Sequence, residues 1–117
     1  MFALTGELSF HLYLPPTDMR KGFDGLSGIV AGILKQNPAN GDVFIFVNRI
    51  RNKIKLLHWE AGGFVLYYKR LESGTFDLFP IDDRDHVQIK WSDLVMMIEG
   101  IKVEKYSQRK RFSSIQG

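Results

Sequence analysis

Four cations alternate along one short stretch of this chain: Arg49, Arg51, Lys53 and Lys55. Where the backbone is extended, side chains two apart share a face, so their heads form a comb. Such a comb can track a phosphate backbone, with Trp59, Tyr67 or Tyr68 available to stack bases. The same pattern also suits a solvated hairpin tip whose lysines protect a sheet edge. Lys69 and Arg70 bring the segment from Val43 to Arg70 to six cations against one acid, Glu60, in a chain whose net charge is +3. A strand-rich segment carrying its cations among aromatics points to a phosphate-bearing partner and away from an enzyme.

A second pair, Arg20-Lys21, stands just before a predicted helix N-terminus, where free N–H groups favour anions. That is a phosphate seat, or a turn in which Asp18 caps and pairs locally with Arg20. Gly22, Gly25 and Gly28 lack the dinucleotide fingerprint spacing and read as close-packing positions. Asp82, Asp83, Asp85 and His86 form the one cluster that could hold a metal for a nuclease, yet they share one short loop without partners from other elements. A solvated loop accounts for them, and no metal or other cofactor is expected. His11 and His58 fall in predicted strands as packed or surface residues. No Ser or Cys nucleophile stands beside a credible base. Arg109-Lys110-Arg111 beside Phe112 reads equally as a phosphate-clamping arm or a solubilising tail.

The elements that must position these residues are bounded by the totals. At 117 residues the chain is one domain's worth, and its 44% hydrophobic content fits a globular protein. It has no cysteine, which removes disulfides and thiolate metal sites. No apolar run approaches the roughly 20 residues of a membrane span, and the N-terminus lacks a signal-peptide pattern, so a cytoplasmic location is expected. Residues 71–101 hold two bases and seven acids, and residues 102–117 five bases and one acid. An acidic segment therefore lies between a basic centre and a basic tail. The acidic segment either folds back to neutralise one basic patch or leaves both free.

Leu8 to Leu14 reads as a first strand, ending at Pro15-Pro16 and placed at an edge. Phe23, Leu26, Ile29, Val30, Ile33 and Leu34 fall at helical spacing, with Asp24 as cap and an end before Asn37-Pro38. Strands follow over 43–48, 52–59 and 64–70, with a further short strand near 75–79. Residues 81–90 read as a charged loop with one brief extended piece. Ser92 caps a helix over 93–99 that Gly100 stops. The expected fold is α+β, a small, mainly antiparallel β-meander sheet of four to five strands packed with two helices, in the order β-α-β-β-β-(β)-α. Residues 1–101 form the domain and 102–117 a flexible basic tail.

Two-residue loops at Ile50-Arg51 and Ala61-Gly62 would set Trp59 opposite Phe64, Leu57 opposite Leu66 and Lys55 opposite Tyr68. The other face then carries a row of Val47, Ile54 and Tyr67, with Leu56 beside Val65, and serves as the core side. The first face would present Phe44, Phe46, Lys53, Lys55, Trp59, Tyr68 and Arg70.

Four blocks, TDMRKGFDGL at 17–26, VFIFVNRIRNKIKLLHWE at 43–60, GFVLYYKRLESGTF at 63–76 and LVMMIEGI at 94–101, resemble the TnpB, or Orf2-like, accessory proteins of the insertion-sequence-sixty-six transposon family. The resemblance covers about residues 8–101. It implies a bacterial mobile-element protein, encoded beside a separate DDE-type transposase, with no agreed catalytic residues to carry over. The family's characteristic cations map onto Arg20, Lys21, Arg49, Arg51, Lys53, Lys55, Lys69 and Arg70; Ile50 interrupts an arginine run that many relatives continue. The resulting expectation is a non-catalytic accessory factor for DNA transposition that binds element DNA, the transposase, or both. A pure protein-interaction subunit is the alternative.

Overall fold

The computed structural model describes residues 5–77 and 85–99 of the chain. The elements are β1 (Phe10–Tyr13), α1 (Phe23–Gly32), β2 (Val43–Val47), β3 (Lys53–Glu60), β4 (Gly63–Arg70), β5 (His86–Ile89) and α2 (Trp91–Glu99). One sheet holds all five strands in the order β4-β3-β2-β1-β5. The fold is α+β, as expected, but the sheet is mixed. β1 and β2 run parallel because α1 returns the chain to the starting end, and every other pairing is antiparallel.

Two strand expectations are corrected. β1 is not an edge strand, because β5 pairs with it from Phe10↔Ile89 to Tyr13↔His86. Pro15-Pro16 ends β1 without exposing its flank. Residues 75–77 are irregular, and the fifth strand lies instead in the expected charged loop. Residues 78–79, Asp82, Asp83 and the basic tail at 102–117 lie outside the described residues.

The β2–β3–β4 meander takes the register that two-residue loops dictate. Trp59 faces Phe64, Leu57 faces Leu66 and Lys55 faces Tyr68. Ala61 and Gly62 both adopt positive φ, 51° and 83°, the backbone that a tight hairpin turn requires. One row differs from expectation: Val47 and Ile54 continue to Lys69, while Tyr67 pairs with Leu56.

Both faces of the sheet are covered, which corrects the expectation of a single core side. On one face, Phe10, Leu12, Val43, Ile45, Ile54 and Leu56 pack with Phe76 and with Leu94 and Met97 of α2. On the other, Phe44, Phe46 and Leu57 lie under Leu26 and Val30 of α1. The unbroken apolar run of β2 fits a strand buried on both sides.

α1 starts at an N-cap Gly22 that makes no side-chain cap bond, with Asp24 inside the first turn. It stops earlier than expected, as Lys35 turns to φ 57° and the Gln36 N–H bonds the Val30 carbonyl. Gly28 and Gly32 face open space, so close packing does not explain them. α2 begins at Trp91 rather than after Ser92; the Asp93 carboxylate accepts from the Lys90 N–H at 3.4 Å, occupying one orphan donor of the first turn. Among the described residues no helix is long and apolar enough to cross a membrane.

Candidate functional site

After Pro15-Pro16, the Thr17 N–H donates to the Val47 carbonyl at 2.9 Å and pins the connection to the end of β2. Asp18 then closes an Asx turn, its Oδ1 accepting from the Arg20 N–H at 2.9 Å. The Arg20 guanidinium folds onto the same carboxylate, with Nη2 2.6 Å from Oδ2. These bonds from Arg20 hold the Asp18 carboxyl down at about 2, and Asp18 in turn raises the guanidinium further above its usual range. The local pair is therefore formed, in the open, beside the helix start.

Lys55 anchors this connection from below. It is 6% exposed, and its Nζ donates to the carbonyls of Met19 and Lys21, both at 2.8 Å. The same ammonium lies 4.5 Å from the centre of the Tyr68 ring. Two carbonyls and an aromatic ring together replace the water that a buried cation gives up. The Thr17 hydroxyl, also buried, has no hydrogen-bond partner among the described residues.

The β2–β3 turn forms the facing wall. Asn48 organises it: Oδ1 accepts from the N–H groups of Asn52 and Lys53, both at 3.0 Å, and Nδ2 donates to Asn52 Oδ1 at 2.7 Å. Arg51 takes φ 62°, and its carbonyl accepts from the Phe76 N–H at 2.7 Å. Arg49 and Ile50 are left exposed at the tip.

Between the two walls lies an open groove of about 550 Å³. Asp18, Met19 and Arg20 line it from the first segment, and Asn48, Arg49 and Ile50 from the turn, with Lys53 and Tyr68 added by the sheet. A second depression of about 350 Å³ shares Lys53 and Tyr68 and extends to Arg70 and Glu72.

The eight expected residues divide. Arg20, Arg49 and Lys53 line the groove and Arg70 its extension. Lys21 is exposed beside it, with its carbonyl committed to Lys55; Arg51 is half-buried in the turn. Lys55 lies beneath the groove with its head on main-chain oxygens. Lys69 is on the opposite face of the sheet, where its Nζ donates to the Ile98 carbonyl of α2. Arg70 pairs with Glu72 at 3.2 Å, whereas Arg49 and Lys53 have no acidic partner among the described residues. Sequence reasoning missed Met19, Asn48 and Ile50. Asn48 and Asn52 flanking a turn, and an apolar residue between two arginines, were the available signals.

Elsewhere His11 pairs with Asp42 at 2.9 Å and stacks on Phe44, and His58 reaches Glu60 at 3.3 Å. No cluster of three or more His, Cys, Asp or Glu residues suited to a metal occurs among the described residues. The groove's chemistry is anion attraction beside flat apolar surface.

Residues 8–108 match a protein family described as IS66 Orf2 like protein. The chain is similar to uncharacterized protein y4jC of Sinorhizobium fredii, 35% identical over 68 residues, which is 58% of each chain. It is also similar to uncharacterized protein y4hO of the same organism, 34% identical over 85 residues, 73% of each chain. The aligned part thus spans less than two thirds of the first relative's length. No solved structure matches the chain.

Proposed function

The chain belongs to the IS66 Orf2-like family, and from that premise we propose that it is a non-catalytic accessory factor of transposition that binds the DNA of its element along the phosphate backbone. One observation supports the reading above the rest: Arg20, Arg49 and Lys53 come from separate segments yet line one groove. Lys53 and Arg70 also stand directly opposite each other across β3 and β4. Like charges so placed cost stability on their own and favour an anion between or above them. The binding set of this proposal is Arg20, Lys21, Arg49, Arg51, Lys53 and Arg70, with Lys55 and Lys69 holding the scaffold.

The test is an anisotropy titration of the full chain against DNA from the element's ends across a salt series. Affinity should fall steeply with salt, with a log–log slope of about 0.7 to 0.9 per phosphate contact. Absence of binding at low salt by folded protein defeats the proposal.

A second reading is docking on the DDE-type transposase that the resemblance implies. Phe23 and Ile33 at the two ends of α1 favour it, being 47% and 46% exposed. A complex with the transposase that survives nuclease and moderate salt, and is lost on Phe23→Ser with Ile33→Ser, would support it over the DNA reading.

A further inference from the structure

The groove contains more than a phosphate seat requires. Ile50 is 65% exposed and Tyr68 51%, and both line the same concavity as Arg49 and Lys53. Met19 adds a third apolar side chain. Cations alone suffice to follow a duplex, whose phosphates face outward and whose base faces are already stacked on one another. Apolar surface beside cations that have no acidic partner among the described residues fits a ligand that presents a free planar face and a phosphate together.

We propose that this groove takes an unpaired nucleotide of single-stranded DNA, its base stacked on Tyr68 and its phosphate held by Arg49 and Lys53. The inference rests on the DNA reading above and narrows it to a strand form. Three features support it. The groove's volume of about 550 Å³ lies within the range of small-molecule sites, large enough for a base, a sugar and a phosphate. The Tyr68 ring is steadied by Lys55 over it at 4.5 Å, so it meets a base with little further ordering. The charge around the groove is uneven. Arg20 is balanced by Asp18, while Arg49 and Lys53 have no acidic partner among the described residues. An anion is drawn to Arg49 and Lys53, and the base is left for Tyr68 and Ile50. Base–aromatic stacking tolerates any base, so the site selects strand form and not sequence.

The experiment uses the full chain and three labelled probes of one sequence at one salt concentration: a single strand of about 10 nucleotides, its duplex, and the duplex with a single-stranded overhang. The single strand and the overhang should bind at least about tenfold tighter than the blunt duplex. Tyr68→Leu, which keeps an apolar side chain on the strand, should weaken single-strand binding roughly 5- to 100-fold and duplex binding by a much smaller factor. Tyr68→Trp should restore it. Circular dichroism and denaturation of each variant establish that it folds. Duplex binding as tight as single-strand binding, or equal loss on both probes in Tyr68→Leu, overturns the inference while the phosphate-contact reading stands. Failure of all three probes to bind overturns both.

Discussion

Lys55 of β3 and Met19 of the connection before α1 are joined by a 2.8 Å hydrogen bond across 36 positions of sequence. A buried ammonium shared between two main-chain carbonyls makes one wall of the groove depend on the centre of the sheet.

Replacing Lys55 by Met keeps the stem but strands the Met19 and Lys21 carbonyls. The cost should be on the order of 2 kcal/mol in chemical denaturation. DNA affinity should fall as well, at temperatures where the variant remains folded, because Arg20 loses its anchored backbone. An unchanged denaturation midpoint would show that the link carries no weight.

Arg49→Ala combined with Lys53→Ala should lower the salt slope of DNA binding by about 1.4 to 1.8, the value of two phosphate contacts. Stability should stay within about 0.5 kcal/mol, since neither head has an acidic partner among the described residues. Lys69→Met should do the reverse, leaving the slope intact while losing about 1 kcal/mol through the Ile98 carbonyl. Equal slopes for all three proteins would remove the groove from the binding surface.

The Asp18–Arg20 pair sets a pH dependence whose sign is fixed. The folded carboxyl titrates at about 2, below the ordinary value of about 3.9. Its contribution is therefore whole above about pH 4 and disappears as pH falls through about 2. Carbon-13 NMR of the side-chain carboxyl should show this low midpoint, and Arg20→Gln should return it toward the ordinary value. A midpoint indifferent to residue 20 would mean that the pair does not persist in solution.

Burial separates the large apolar side chains. Phe46 is fully buried beneath α1, so Phe46→Ala should cost about 3 to 5 kcal/mol. Ile50→Ala at the exposed turn should change stability by no more than about 0.5 kcal/mol. Thermal denaturation of the two variants in parallel checks the contrast.

Ala61 sits at φ 51°, where its methyl crowds the following carbonyl. Ala61→Gly should relieve this and raise stability by about 0.5 kcal/mol. A loss of stability, read from the denaturation midpoint, would mean that restraint of the unfolded chain by Ala outweighs strain in the turn.

The meander was legible because Ala61-Gly62 separates two strand-like runs, and a tight loop leaves a single register. The sheet's other half was less so. Pro15-Pro16 mimics an edge signal, while the strand that covers β1, His86–Ile89, is four residues long and lies in a charged surrounding. The second core face was hidden by treating Phe44 and Phe46 as companions of the cations, although the run VFIFV is itself the mark of a strand covered on both sides. The cationic comb was half right. Alternation placed Lys53 and Lys55 on one face, but no pattern in the chain reveals that Lys55 meets the carbonyls of Met19 and Lys21. The convergence of Arg20 with Arg49 and Lys53 is a property of the crossover through α1, which sequence spacing does not encode.

Because β1 is bracketed by β2 on one side and β5 on the other, the two ends of the domain meet along one side of the sheet. The β2–β4 hairpins can form from neighbouring residues, while β1 joins β2 only through the longer α1 crossover and gains its second flank only from residues 86–89. The groove's first wall follows β1 and is tied to the meander only through Val47 and Lys55, so it should assemble after the meander and loosen before it. Amide hydrogen exchange at 17–21 should then be faster than in β3, and the chain should lose its grip on DNA before the meander melts.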